Sequence, residues 1–133
     1  MANMETTVHD TGTVVIWEPV FENDTVTFTG EGVYKRGTIL ARDTGTLKLV
    51  PYVKGGATTG NGVPKAVLTY DVEATAAGDK GVRVAVAGRL RKNKLVIQAD
   101  GDDSNVDKDV VDQLRDFGIV ALETTELAEL DNQ

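Results

Sequence analysis

The chain has no cysteine, one histidine and one tryptophan. Without cysteine, disulfides, thiolate metal sites and thiol nucleophiles are excluded together. The histidine, His9, stands in a polar N-terminal stretch and reads as an exposed, solvated imidazole. The side chain best suited to proton transfer near neutrality therefore has no built surroundings. Carboxylates alone can cleave glycosides, but such clefts are aromatic-lined, and Phe, Trp and Tyr make up only 5% of the residues. No apolar run reaches the roughly 20 residues of a membrane-spanning helix. Met1-Ala2-Asn3-Met4-Glu5 has neither a basic patch nor an early apolar stretch and does not read as a secretion signal. Basic charge is also short: 14 Lys and Arg stand against 21 Asp and Glu, a formal net charge of −7. That balance disfavours sequence-blind binding to phosphates and favours solubility and repulsion between free copies. The expectation is a soluble protein that is not an enzyme, with no cofactor, no metal, no membrane and no nucleic acid partner.

What is present reads as β structure. A chain of 133 residues is one domain by length and can bury a core without staples. Its organising stretch is Tyr34-Lys35-Arg36-Gly37-Thr38-Ile39-Leu40-Ala41-Arg42, continuing through Asp43-Thr44-Gly45 to Leu47-Lys48-Leu49-Val50-Pro51-Tyr52. Ile39 to Ala41 form an apolar run, and Leu47 and Leu49 alternate with Thr46 and Lys48, the period of a strand with one buried face. Asp43 and Gly45 predict a three-residue hairpin loop with Gly45 in the left-handed position. Gly37 marks a bend or a close backbone approach.

Other strands are predicted over Phe21–Thr29, Ala66–Val72, Val82–Ala87, Leu95–Ile97 and Ile119–Leu122. Residues 54–64 read as an exposed glycine-rich loop. Gly55 and Gly60 have phosphate-loop spacing, but Asn61-Gly62 stands where Lys-Ser/Thr is required. Arg89-Leu90-Arg91-Lys92-Asn93-Lys94 is a basic knot, read as a solvated hairpin tip or as a contact for an acidic protein surface. Asp100, Asp102 and Ser104 match the first ligand positions of a calcium loop, but Asn105 replaces its glycine and Val111 its bidentate Glu. A helix start fits better, with Ser104 and Asp107 as a capping box, Val106, Val110, Leu114 and Phe117 at helical spacing, and Gly118 as the stop.

The ends are polar. Residues 1–12 carry no periodic apolar pattern, and the acidic tail 123–133 has only Leu127 and Leu130 to dock as a helical turn. Between the N-terminal stretch and the domain stands Thr13-Val14-Val15-Ile16-Trp17, a β-prone run cut off by Glu18-Pro19. Two readings fit it. It is an edge strand of the domain's own sheet, or a segment that orders by adding a strand to a partner.

In order and character, Lys35–Arg42, Leu47–Tyr52, Ala66–Leu68, Val82–Gly88 and Leu114–Ile119 resemble the head decoration proteins of tailed bacteriophages, the lambda-type capsid-stabilising family. The similarity spans roughly residues 25–122. It implies a mainly β, β-clip-like single domain with one C-terminal helix and an extended N-terminal arm. The division is a capsid-binding arm over 1–20, a β-rich domain over 21–122 and an acidic tail over 123–133. It further implies homotrimers on the exterior of an expanded capsid, at local threefold axes, after synthesis in the host cytoplasm. Thr13, Val14, Val15, Ile16 and Trp17 would be the capsid-binding residues, adding a strand to the major capsid protein. The alternatives are a small β-barrel module for nucleic acid or carbohydrate, and a phage tail or neck structural protein.

Overall fold

Ile39, Leu40 and Ala41 are all fully buried, although successive side chains of a strand point to opposite faces. They can be, because β3 (Ile39–Arg42) has an apolar core on each side. Ile39 and Ala41 pack in one cluster, and Leu40 in the other. The structure, a computed structural model, describes residues 15–122, with side chains from Val20 onward. The expectations for residues 1–12, for Thr13 and Val14, and for the tail 123–133 lie outside the described residues.

Two long strands frame the sheet. β1 (Val15–Phe28) and β7 (Gly78–Arg91) run antiparallel from Val15 opposite Leu90 to Phe28 opposite Gly78. β3 pairs antiparallel with β4 (Leu49–Pro51) and with β5 (Pro64–Leu68), and β5 pairs with β7. β4 meets β1 in parallel at Val26 and Leu49, so β1-β4-β3-β5-β7 closes on itself as a small barrel. Val26, Phe28, Leu40, Leu49, Leu68 and Val84 fill its interior. The short ribbon of β2 (Gly32–Tyr34) and β6 (Val72–Ala74) joins this core through Tyr34, whose ring stacks on Phe28 at 4.1 Å.

The second core lies outside the barrel. There α1 (Lys108–Asp116) lays Val110 and Leu114 against Ile39, Leu90, Leu95, Ile97 and Ile119. Beyond Gly118, which turns the chain at φ +92°, β8 (Ile119–Leu122) runs parallel to the end of β7. Among the described residues a mainly β single domain with one helix near the C-terminus is observed as expected, and its sheet closes into a barrel.

Several local expectations change. Val15–Pro19 and Val20–Phe28 are one strand, not two; the Pro19 interruption is absorbed by register shifts between Trp17 and Phe21, where a residue without an N–H is tolerated. The 66–72 stretch breaks after Leu68, because the Asp71 carboxylate accepts the Arg36 N–H at 2.7 Å and turns the chain into β6. Leu95, Val96 and Ile97 are buried as expected, but Val96 and Ile97 make isolated bridges rather than a strand. The helix is capped by Asp107, whose carboxylate accepts the Val110 N–H, while Ser104 instead donates its N–H to Asp102. Phe117 leaves the helical stripe and is 40% exposed, with the Lys65 ammonium 4.1 Å from its ring centre.

The β3–β4 loop differs most. Leu47 is not a strand residue: it takes φ +64° and is 69% exposed. The Asp43 carboxylate accepts the N–H groups of Gly45 and Thr46, and the Asp43 carbonyl accepts that of Leu47 at 2.7 Å. This network makes a four-residue loop that demands a left-handed last residue, and the position falls on Leu47 rather than Gly45. A leucine there costs about 1 kcal/mol, whereas Asn tolerates the conformation because its short polar side chain can hydrogen-bond the local backbone. Leu47→Asn should therefore raise stability by about 1 kcal/mol, a few degrees in Tm. Thermal unfolding of the two proteins checks this; an unchanged or lower Tm would show that Leu47 gains more from its surroundings than its backbone loses.

Candidate interaction surface

Beyond the barrel, β7 continues as the centre of a three-stranded extension. Along its last turns it has left β5 and is flanked by β1 on one side and β8 on the other. Trp17 is registered opposite Arg89 and Val15 opposite Leu90. Across β7, Val120 lies opposite Arg89, Ala121 opposite Leu90 and Leu122 opposite Arg91. The first and last described residues thus emerge at the same end of β7.

Of the five residues singled out from the sequence, Val15, Ile16 and Trp17 lie on β1, inside the stretch assigned to the arm. Their backbone takes the register of an edge strand. A strand has two hydrogen-bonding edges, however, and β7 occupies one. β4 reaches β1 only at Val26, so among the described residues the other edge of β1 upstream of Val26 has no strand partner. Such an edge presents a row of N–H and C=O groups that can template a further strand. Val20 stands beside it, 52% exposed.

The charges around the barrel are mostly tied down. Arg42 holds Asp24 at 2.7 Å, Lys48 holds Asp79, and Lys54 holds Asp107. Burial pushes the Asp24 carboxyl up, but the Arg42 guanidinium and the Thr25 N–H outweigh it and leave the pKa below the ordinary carboxylate value. Asp79 is lowered by the Lys48 and Thr27 hydrogen bonds, Asp43 by the N–H groups of Thr46 and Gly45, and Asp107 by Lys54 and the Val110 N–H. These groups are anchors, ionised at neutral pH, whereas an acid catalyst needs a raised pKa. An open depression of about 530 Å³ is lined by Val33, Tyr70, Asp71, Glu73 and Lys80. Its groups face solvent across a shallow surface and enclose nothing.

The basic knot is not a hairpin tip. Arg89 to Arg91 complete β7, and Lys92–Lys94 form a 3₁₀ turn. The signal was present in the sequence. Val82, Val84, Val86, Gly88 and Leu90 keep one parity, so the alternation runs on past Gly88 to Leu90, which is fully buried in the second core. The glycine conceals this continuity because it carries no side chain to mark it.

No curated protein matches the chain. The family model described as bacteriophage lambda head decoration protein D matches residues 4–119. That span takes in every strand from β1 to β7, the helix and the first residue of β8, and the chain accordingly belongs to the lambda head decoration protein D family, structural proteins that decorate the phage capsid.

Proposed function

We propose that the chain cements the expanded head as homotrimers on the capsid exterior, seated at local threefold axes, having been made in the host cytoplasm. In this reading the partner is the major capsid protein, and Thr13–Trp17 is the docking element of an N-terminal arm. The observation that carries it is the open edge of β1, which leads straight into that run. A capsid strand laid along this edge would extend the sheet as β7-β1-capsid, supplying backbone hydrogen bonds without breaking those β1 already makes.

Trimers make modest contacts sufficient. Once one arm is engaged, the other two search a small volume, which multiplies affinity by orders of magnitude without new contacts. Subunits held at a threefold junction are then clamped against outward pressure. Family membership favours the head over a tail or neck position, and over a nucleic acid or carbohydrate module. The test is to mix the full chain with expanded, undecorated heads of its own phage and image them by electron cryo-microscopy. Density at the local threefold axes, continuous with a capsid strand, is expected; bare heads, or density elsewhere on the lattice, would overturn the reading.

A further inference from the structure

Because Leu90 is fully buried, its neighbours Arg89 and Arg91 face off the core, together on one side of β7. Lys94 follows in the 3₁₀ turn and is exposed. These cations differ from most of the others. Five described Lys and Arg side chains pair with aspartates. Two more lie over phenylalanine rings, and two donate to backbone carbonyls. Arg89, Arg91 and Lys94 have no such partner among the described residues, and apart from Lys108 on α1 no other cation shares that condition. Three cations without a partner among the described residues, at one end of a chain of net charge −7, carry a desolvation cost on contact with anything but an anion.

We propose that Arg89, Arg91 and Lys94 form a cationic contact that seats this end of the domain on an acidic protein surface of the capsid shell. The proposal rests on the reading that the arm meets the capsid. Val15 and Trp17 are registered beside Leu90 and Arg89, so whatever the arm binds is brought against this end. Nucleic acid is a poorer occupant. Its charge extends well past any contact, where the acidic remainder of the chain repels it, whereas an acidic patch on a protein is sensed only within a Debye length of about 8 Å at physiological salt.

The test compares the full-length chain with R89E/R91E, R89Q/R91Q, K94E and, as a control for an unpaired cation elsewhere, K108E. Each is titrated onto expanded, undecorated heads at low and high salt, after circular dichroism has confirmed the fold. Charge reversal at 89 and 91 should weaken binding by at least about tenfold at low salt, with neutralisation intermediate and K94E in the same direction. The wild-type salt dependence should flatten in R89E/R91E, and K108E should bind as wild type. Wild type binding with R89E/R91E unimpaired overturns this inference alone; wild type failing to bind overturns the reading beneath it as well. An effect of reversal confined to self-association, or to retention of duplex DNA in a gel shift, overturns the acidic shell surface as the occupant.

Discussion

A chain lacking residues 2–17 should keep its barrel and lose the capsid. The deletion removes all of Thr13–Trp17 but leaves β1 registered on β7 from Val20 opposite Ala87 to Phe28 opposite Gly78. Both apolar clusters are built from residues beyond it. What goes is the proposed docking strand. If Val14, Val15, Ile16 and Trp17 bury a few hundred Å² of apolar surface on the shell, each arm contributes on the order of 5 kcal/mol before ordering costs, at about 25 cal/mol per Å². In the proposed trimer, multivalency compounds the loss, because removing one contact type removes it from every protomer. Affinity for expanded heads should fall by more than about 100-fold, measured by sedimentation of heads with bound protein, while far-ultraviolet circular dichroism stays native. Equal binding by the truncated and full chains would sink the arm hypothesis.

The second large effect is on the fold. Gly37→Ala should destabilise the domain by roughly 3 kcal/mol or more, lowering Tm on the order of 10 °C. Gly37 holds φ +89°, and a β-carbon there would sit 1.9 Å from the Lys94 carbonyl oxygen. Relief by movement is blocked on both sides. The Gly37 N–H donates to the Leu68 carbonyl at 2.8 Å, and its carbonyl accepts the Val96 N–H at 2.8 Å. The segment carrying Leu95 to Ile97 would have to lift, and these residues line the core under α1. Gly81→Ala is the matched control, since a β-carbon there meets nothing within 4 Å. Paired denaturant titrations measure both; if G37A unfolds with wild type, the close approach is not what the glycine is for.

Much of this could be read from residue order. The buried faces of β1, β3 and β7, the apolar side of α1, the left-handed stop at Gly118 and the special role of Gly37 all follow from periods of two or 3.6 and from glycine chemistry. The loop before β4 could not, because its left-handed position is chosen by hydrogen bonds to Asp43, and several four- and three-residue loops suit the same residues. The continuation of β7 into the basic knot is hidden for a related reason: Gly88 interrupts the side-chain pattern without interrupting the strand.

By itself, the sequence determined that this is a small β-rich domain with one amphipathic helix, no thiol chemistry and an apolar run near its N-terminus. Those properties are local, set by side-chain type and spacing along a few residues. Tertiary structure decided that the sheet closes into a barrel, that both described ends leave beside Leu90, and that β1 keeps one edge open. These depend on which strands, distant in sequence, become neighbours and in what register. Backbone hydrogen bonding is the same for every pair of strands, so only the packing of the two cores could choose among them.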